Sequence, residues 1–340
     1  MGGLAIPIYT EQSNQEFENS IKVTQSLSNA ILQRKHFLND YNESQGVKKE
    51  IRSEKSKRYE ANRKNIIEQL PIHQRKVVEI SSEKGASIWL TTLPLLEEGY
   101  NIPKNVFWDL IRLRYGWNLK RLPAKCECGE TFTIEHSLTC KKGGFVSLRH
   151  NNLRNLTANL LSTTCKDVCV EPALSPLTGE EFNERSAILS DDARLDIKAR
   201  GFWQAGQLAF FDIRVFNPLA KRYANQGLKK CFEINEKEKK KSYGERILQI
   251  EHGSFTPLVF SATGGMGRET TKFYSRLAET LGEKKNISYS LMVTWLRRKI
   301  SFSLISAVAM CIRGSRSCRS QKELLESLDN PVVSETIANF

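Results

Sequence analysis

The chain has no apolar run long enough to cross a membrane. The longest, Ile300 to Ile312, is interrupted by serines and falls short of the ~20 residues a span needs. No basic leader runs into an apolar stretch and a cleavage site, so no secretory signal is legible. Met1-Gly2-Gly3 lacks the Ser or Thr that a myristoylation site carries at position 6, where Ile6 stands. Acidic residues are in deficit: 38 Asp and Glu face 51 Lys and Arg, a net charge of +13 over 340 residues. That surplus points to a polyanionic partner, of which nucleic acid is the commonest. An apolar fraction of 40% excludes wholesale disorder. The expectation is a soluble intracellular protein of two or three domains.

A disulfide framework is not expected either, for an intracellular chain with eight cysteines. Cys231, Cys311 and Cys318 read as buried apolar residues. Cys165 and Cys169 stand four apart, without the neighbouring His or Cys pair that a second metal site would require. Cys126, Cys128 and Cys140 differ, because they crowd into fifteen residues together with His136.

Those four residues have the spacing Cys-x-Cys-x7-His-x3-Cys. The first pair, with Gly129 behind it, can form a knuckle whose amides point at thiolate sulfur. Thr133 can cap a short helix that places His136 and Cys140 on one face. Three thiolates and an imidazole form a closed tetrahedral set, which suits structural zinc and leaves no open position for catalysis. One residue between the first two cysteines is tighter than the usual two to four; the competing reading is three buried cysteines and an unrelated His.

Residues 1 to about 45 read as short helices or partly ordered chain. Val47 to Lys76 carries ten Lys and Arg against four Glu, either a solvated helix or a basic arm for nucleic acid. From Val77 to Trp117 the pattern is amphipathic, with Val78, Ile80, Ile88, Trp89, Leu93 and Leu95 as one apolar set. A second helix follows, with Asn101 as its cap and Pro103 in its first turn.

The most informative stretch runs from Asp192 to Pro218. Two alternating segments joined through Gly201 and Gly206 read as an antiparallel hairpin. Arg194, Asp196 and Lys198 share one face of the first strand, opposite Leu195 and Ile197. Phe210, Asp212, Arg214 and Phe216 share a face of the second. A turn centred near Gln204 sets Asp196 directly across from Asp212. Like charges so placed destabilise a sheet unless a cation compensates: Arg194, Arg214 or a bound divalent metal. Two carboxylates beside a backbone carbonyl suit magnesium; the alternative is a surface Asp–Arg ladder without metal.

Around the hairpin, Phe145–Thr163 reads as a helix, Val168–Leu174 as a strand, Leu228–Ile250 as a basic helix and Phe255–Phe260 as a strand. The order helix, three strands, helix, strand resembles the PD-(D/E)XK nuclease fold of restriction enzymes. Here Leu195-Asp196 replaces Pro-Asp, and Asp212-Ile213-Arg214 carries Arg where that fold normally has Lys.

The Cys-Cys-His-Cys cluster, then Arg149-His150-Asn151, then the two-aspartate hairpin, is similar to the restriction-like endonuclease at the C-terminus of metazoan non-LTR retrotransposon proteins. Glu83–Pro94, Arg114-Tyr-Gly-Trp117, Phe255–Phe260 and Ile312–Arg316 resemble segments of such open reading frames. The resemblance extends from Gly2 to about Arg316. It implies an α+β protein with an arm (1–76), a helical linker (77–123), a zinc knuckle (124–144), an αβββαβ endonuclease core (145–314) and a tail (315–340). The implied activity is magnesium-dependent nicking of target DNA to prime reverse transcription, in the nucleus. Element RNA and an upstream reverse transcriptase are the further implied partners. Asp196 and Asp212 would hold the magnesium. The lysine missing from the third strand would come from the following helix, Lys239 in preference to Lys240, with a solvated helix face as the equal alternative for this Lys run; Arg214 could orient phosphate but cannot act as a base. Arg149, His150, Arg194 and Lys240 would contact nucleic acid, with a hydrogen-bonding structural role as the other reading of His150. The rivals are a catalytically inert nucleic-acid-binding remnant and a purely structural or protein-interaction remnant with weak, unselective affinity for DNA.

Three weaker signals complete the sequence. Ser190-Asp191-Asp192 superficially resembles a polymerase motif, but no palm-sized domain surrounds it. Gly264–Gly267 could expose amides to a phosphate, or form a plain loop at a strand exit. Arg297–Arg319 reads as a core helix with basic ends.

Overall fold

The computed structural model describes residues 9–35, 41–175 and 194–316. Ser190, Asp191, Asp192, Cys318 and the rest of the expected tail beyond Arg316 lie outside them. The protein is mixed α+β, about 58% helical, with one four-stranded sheet. It divides into two compact units, Met1–Val78 and Glu79–Phe340.

The first unit contains α1 (Tyr9–Leu32) and α2 (Tyr41–Gln69). The expected short helices are therefore one helix of 24 residues. α2 carries most of the basic stretch, and its Lys55 pairs with Glu16 of α1 at 2.6 Å. Helix α3 (Ile72–Ser81) follows.

In the second unit, α4 (Ile88–Thr91) and α5 (Lys104–Tyr115) flank a loop. Leu93 and Leu95, expected in the apolar set, are exposed on that loop because α4 stops at Thr91. Helix α5 also starts later than its sequence suggested. Pro103 occupies the cap position, and no side chain caps the helix. α6 (Ile134–Ser137) and α7 (Phe145–Ser162) lead into the sheet.

The sheet is built from β1 (Lys166–Val170), β2 (Ile197–Arg200), β3 (Leu208–Phe216) and β4 (Ser254–Ser261), in spatial order β1-β2-β3-β4. The first two pairings are antiparallel. β3 and β4 are parallel, joined by the crossover helix α8 (Leu228–Gln249) that such a pair requires. Pro257 sits in β4, an edge strand, where a missing amide is tolerated.

β3 is buried on both faces. Phe211 and Ile213 pack with Leu153 and Leu161 of α7, with Phe273 and Leu277 of α9 (Arg268–Lys285), and with Ile300 and Leu304 of α10 (Tyr289–Arg313). On the opposite face, Phe210 meets Tyr243 and Ile247 of α8, and Phe216 meets Cys231 and Phe232. The run Ile300–Ile312 is thus a core helix, as its composition suggested.

The segment after α3 docks by burying an acid. Ser261 at the end of β4 donates its hydroxyl hydrogen to the Glu83 carboxylate, and a Cβ at Gly265 would lie 1.8 Å from it, so any other residue there would displace the carboxylate. Burial raises the Glu83 pKa to about 8. A carboxyl with a raised folded-state pKa contributes stability that is complete below its unfolded value and is lost as pH rises through the folded one. Glu83→Gln is therefore expected to match the wild type in melting temperature at pH 4.5 and to exceed it progressively up to pH 9. An unchanged difference across that range would refute the burial argument.

Candidate functional site

The hairpin connection from Gly201 to Gln207 closes with Gly201 N–H donating to the Gln207 carbonyl at 2.8 Å. The ladder pairs Ile197 with Phe211 and Lys198 with Phe210; carried one step further, the same register sets Asp196 opposite Asp212. β2 starts only at Ile197, so Asp196 sits on a bend at the mouth of the hairpin. The strict alternation expected there breaks. Leu195 does not share a cluster with Ile197 but packs with Phe210, Tyr243 and Ile247 on the α8 side.

Asp196 is tied down from three directions. One carboxylate oxygen accepts from the Ile213 amide, and Oδ1 meets His150 Nε2 of α7 at 2.8 Å. Its own carbonyl accepts from the Glu171 amide just beyond β1, at 2.9 Å. Asp212 is 4% exposed, and its Oδ2 lies 2.8 Å from Lys239 Nζ of α8. That contact is an ion pair in which the ammonium favours the charged acid. Burial, reinforced by Asp196 and opposed by Lys239 and His150, pushes the Asp212 carboxyl up to about 6.

Lys239 falls on the buried stripe of α8, which runs Leu228, Cys231, Phe232, Asn235, Glu236, Tyr243 and Ile247. Its neighbours Lys237, Lys240 and Lys241 are exposed. Lys239 also lies 5.5 Å from the centre of the Tyr243 ring. The structure therefore brings together Asp196, Asp212, Lys239 and His150, from the bend before β2, from β3, from α8 and from α7.

Other expected residues are placed elsewhere. Arg214 is held by Glu238 at 2.6 Å, which Arg222 shares at 3.0 Å, so its charge is matched away from the carboxylate pair. Lys240 turns to Glu269 of α9 at 3.0 Å. Arg194 is exposed and pairs with Ala173 through its backbone. Arg149 is only 3% exposed, because the buried face of α7 carries it inward beside Cys311; this corrects its expected place as a surface contact to nucleic acid. The glycines of 264–267 do not hold open amides for a phosphate. The Glu236 carboxylate accepts from the Glu269 amide at 3.0 Å, and a Cβ at Gly267 would lie 2.3 Å from it.

The thiolate cluster is separate. Sulfur atoms of Cys126 and Cys140 are 3.8 Å apart, as are those of Cys140 and Cys128, and Cys128 Sγ lies 3.3 Å from His136 Nε2. All four ligand atoms lie within 4.8 Å of one another. A tetrahedral ion with metal–sulfur bonds of ~2.3 Å sets its sulfurs ~3.8 Å apart, so the spacing fits. Thr133 accepts from the His136 amide at 3.0 Å and starts α6 as its sequence predicts. Burial works to raise the Cys126 thiol, but the Cys128 amide and the His136, Cys128 and Cys140 side chains bring it down to about 7. The cluster can hold a metal ion such as zinc. Among the described residues it is the one group of three or more side-chain ligands that converges in this way. The two aspartates would have to complete a hard-ion shell with backbone oxygen and water, which magnesium accepts.

Sequence reasoning missed the acids that organise this region: Glu236 at the start of α9, Glu238 between two arginines, and Glu83. No protein-family model matches the sequence, and no curated protein matches it.

Proposed function

We propose that the protein is a metal-dependent DNA endonuclease of a retroelement, with a restriction-like αβββαβ core and a structural zinc knuckle. The observation that carries this reading is Lys239, placed by the crossover helix 2.8 Å from Asp212, at the strand mouth where Asp196 stands opposite. The element order α7-β1-β2-β3-α8-β4 supports it. So does the similarity of the cysteine cluster, the Arg149-His150-Asn151 triplet and the hairpin to retrotransposon endonucleases.

The donor set fits magnesium. Two carboxylates converge, and burial holds the Asp212 acid above its usual range even with the Lys239 ammonium 2.8 Å away. When bound, magnesium would acidify water and offset charge on the scissile phosphate. The protein's residues do the rest. Asp196, fixed by His150 and the Ile213 amide, presents a rigid oxygen. The Lys239 ammonium orients the attacking water beside Asp212 and balances charge gathered on the phosphate. Water oxygen bonds to phosphorus as the bond to the leaving 3′ oxygen breaks, and a proton passes to that oxygen. The free 3′ hydroxyl is the primer that an upstream reverse transcriptase would extend on element RNA, in the nucleus.

The test is supercoiled-plasmid nicking by the full chain with magnesium, beside Asp196→Ala and Asp212→Ala, with folding and zinc content checked for each. Nicking lost in both variants by at least ~1,000-fold is the expected result. Equal nicking by all three would remove these residues from the site. A folded, DNA-binding wild type without nicking would favour the inert binding module.

A further inference from the structure

A second basic surface lies on elements that contribute nothing to the carboxylate pair. An open cleft of about 540 Å³ is lined by Trp108 and Arg112 of α5, by Lys120 and Arg121 of the loop that follows, and by Arg313 at the end of α10. That volume is within the ~300–1,000 Å³ typical of ligand clefts.

Its charges are unequal in role. Arg313 is neutralised by a two-pronged pair with Asp109, Nε to Oδ2 at 2.6 Å and Nη2 to Oδ1 at 2.8 Å. The same guanidinium donates to the carbonyls of Lys120 at 2.8 Å and Arg121 at 3.0 Å. Arg121 has a φ of +55°, a left-handed conformation that a non-glycine residue adopts only at a cost. Arg313, anchored on the buried Asp109, thus forms a strut that fixes the loop, and the loop presents two side chains on the cleft rim. Lys120 and Arg121 are exposed, Arg112 is half-buried, and none of the three has an acidic partner among the described residues. Trp108 stands beside them with half of its surface exposed.

An exposed indole flanked by three unmatched cations matches two properties of an unpaired nucleotide at once: a flat π-face and a phosphate on either side. An acidic peptide would satisfy the cations and leave the indole without a role. We propose that this cleft binds a single-stranded stretch of nucleic acid, with a base stacked on Trp108 and its phosphates on Arg112, Lys120 and Arg121. This rests on the nucleic-acid reading above, and it adds a second binding site that grips an unpaired strand. The pre-formed loop lowers the ordering cost of binding.

The experiment titrates the full, zinc-loaded chain with oligo(dT), oligo(U) and a DNA duplex, by intrinsic fluorescence and by salt-dependent affinity. Trp108→Ala and the double variant Lys120→Ala/Arg121→Ala are run beside the wild type and the Asp196→Ala variant. Lys120 and Arg121 are exposed, so the double variant should leave the melting temperature unaltered; Trp108 is half-buried beside Phe107, so its variant should stay folded with a slightly lower melting temperature. Single strands should quench wild-type and Asp196→Ala fluorescence, with quenching lost and affinity ~10-fold lower in Trp108→Ala, the loss of one stacked base. The double variant should bind more weakly and with a salt slope smaller by about 2. The DNA and RNA arms tell which strand is preferred. Unchanged single-strand affinity in Trp108→Ala, or equal binding of an acidic peptide, overturns this site and leaves the nuclease reading standing. Wild type that binds no nucleic acid overturns both.

Discussion

Asp212→Asn is expected to abolish strand cleavage while making the protein more stable at neutral pH. Two independent consequences of one buried carboxylate meet in this variant. Asp212 is enclosed by the sheet and α8, and its acid is raised to about 6 chiefly because burial removes water from the charged form. Its ordinary value is 3.8, so the folded state binds this proton more tightly than the unfolded chain does. The stabilising contribution is complete below about pH 4 and is lost as pH rises through about 6. At pH 7.5 the wild type carries the cost of an ionised, buried group, of order 1–3 kcal/mol at ~1.4 kcal/mol per unit. Asparagine keeps the shape and removes that cost. The change leaves Lys239 without its partner, but Lys239 is partly exposed and keeps its approach to the Tyr243 ring.

The measurement is a pair of pH-dependent melting curves without divalent metal, followed by magnesium titration at pH 7.5. The variant should melt at or above the wild type at pH 7.5, and the advantage should vanish near pH 4. Magnesium should raise the melting temperature of the wild type, by binding the native state alone, and leave the variant unmoved. A wild type indifferent to magnesium would mean the carboxylate pair is a structural ion-pair cluster centred on Lys239.

The parts of this site that were legible in the sequence are those set by local periodicity. The turn near Gln204 fixes which residues of the hairpin oppose one another, so the partnership of Asp196 and Asp212 follows from counting along two strands. Lys239 is legible because Tyr243 marks the buried stripe of α8 and Lys239 lies one turn before it. His150 resisted a single reading because its partner Asp196 is 46 residues away, and no local pattern connects α7 to the hairpin mouth. The acids that organise α8 were illegible for a different reason. Glu236 and Glu238 stand in a run of Lys and Glu whose outward appearance is that of a solvated helix, yet one caps α9 and the other joins two arginines. Arg149 misled for the same reason, since a guanidinium beside His150 looks like a phosphate contact until α7 turns it inward. Charge in a sequence announces solvent by default; only tertiary packing reverses it.

On the proposed zinc reading of the cysteine cluster, removing the ion is expected to unravel residues 124–142 and to weaken the unit beyond them. The knuckle has almost no core: Cys126, Phe132 and Cys140 are its buried cluster, with Leu122 packed against it. Fixing each residue's backbone costs ~1–2 kcal/mol, which three small contacts cannot offset over such a segment. A closed four-ligand ion can, since structural zinc supplies ~10–16 kcal/mol in comparable peptides. The knuckle is also wired to the core. Arg316 lies over both Phe132 and Phe145, 5.0 and 5.3 Å from their ring centres, and donates to the carbonyls of Ser137 and Cys311. Glu135 accepts from the Lys221 amide at 2.9 Å, just after β3. Loss of the ion should therefore expose the start of α7, and with it the helix that holds His150. Cys128 is the exposed ligand, so Cys128→Ser removes one thiolate without opening a cavity. Metal analysis should find one zinc per wild-type chain and much less in the variant. Hydrogen exchange should show protection lost over 124–142 and reduced at the start of α7. The buried Cys231→Ala is the control: it should cost stability and keep its zinc. A folded wild type that carries no zinc, with 124–142 fully protected, would mean that thiol packing alone holds the knuckle. In that case Cys128→Ser should leave both the exchange pattern and strand cleavage unchanged.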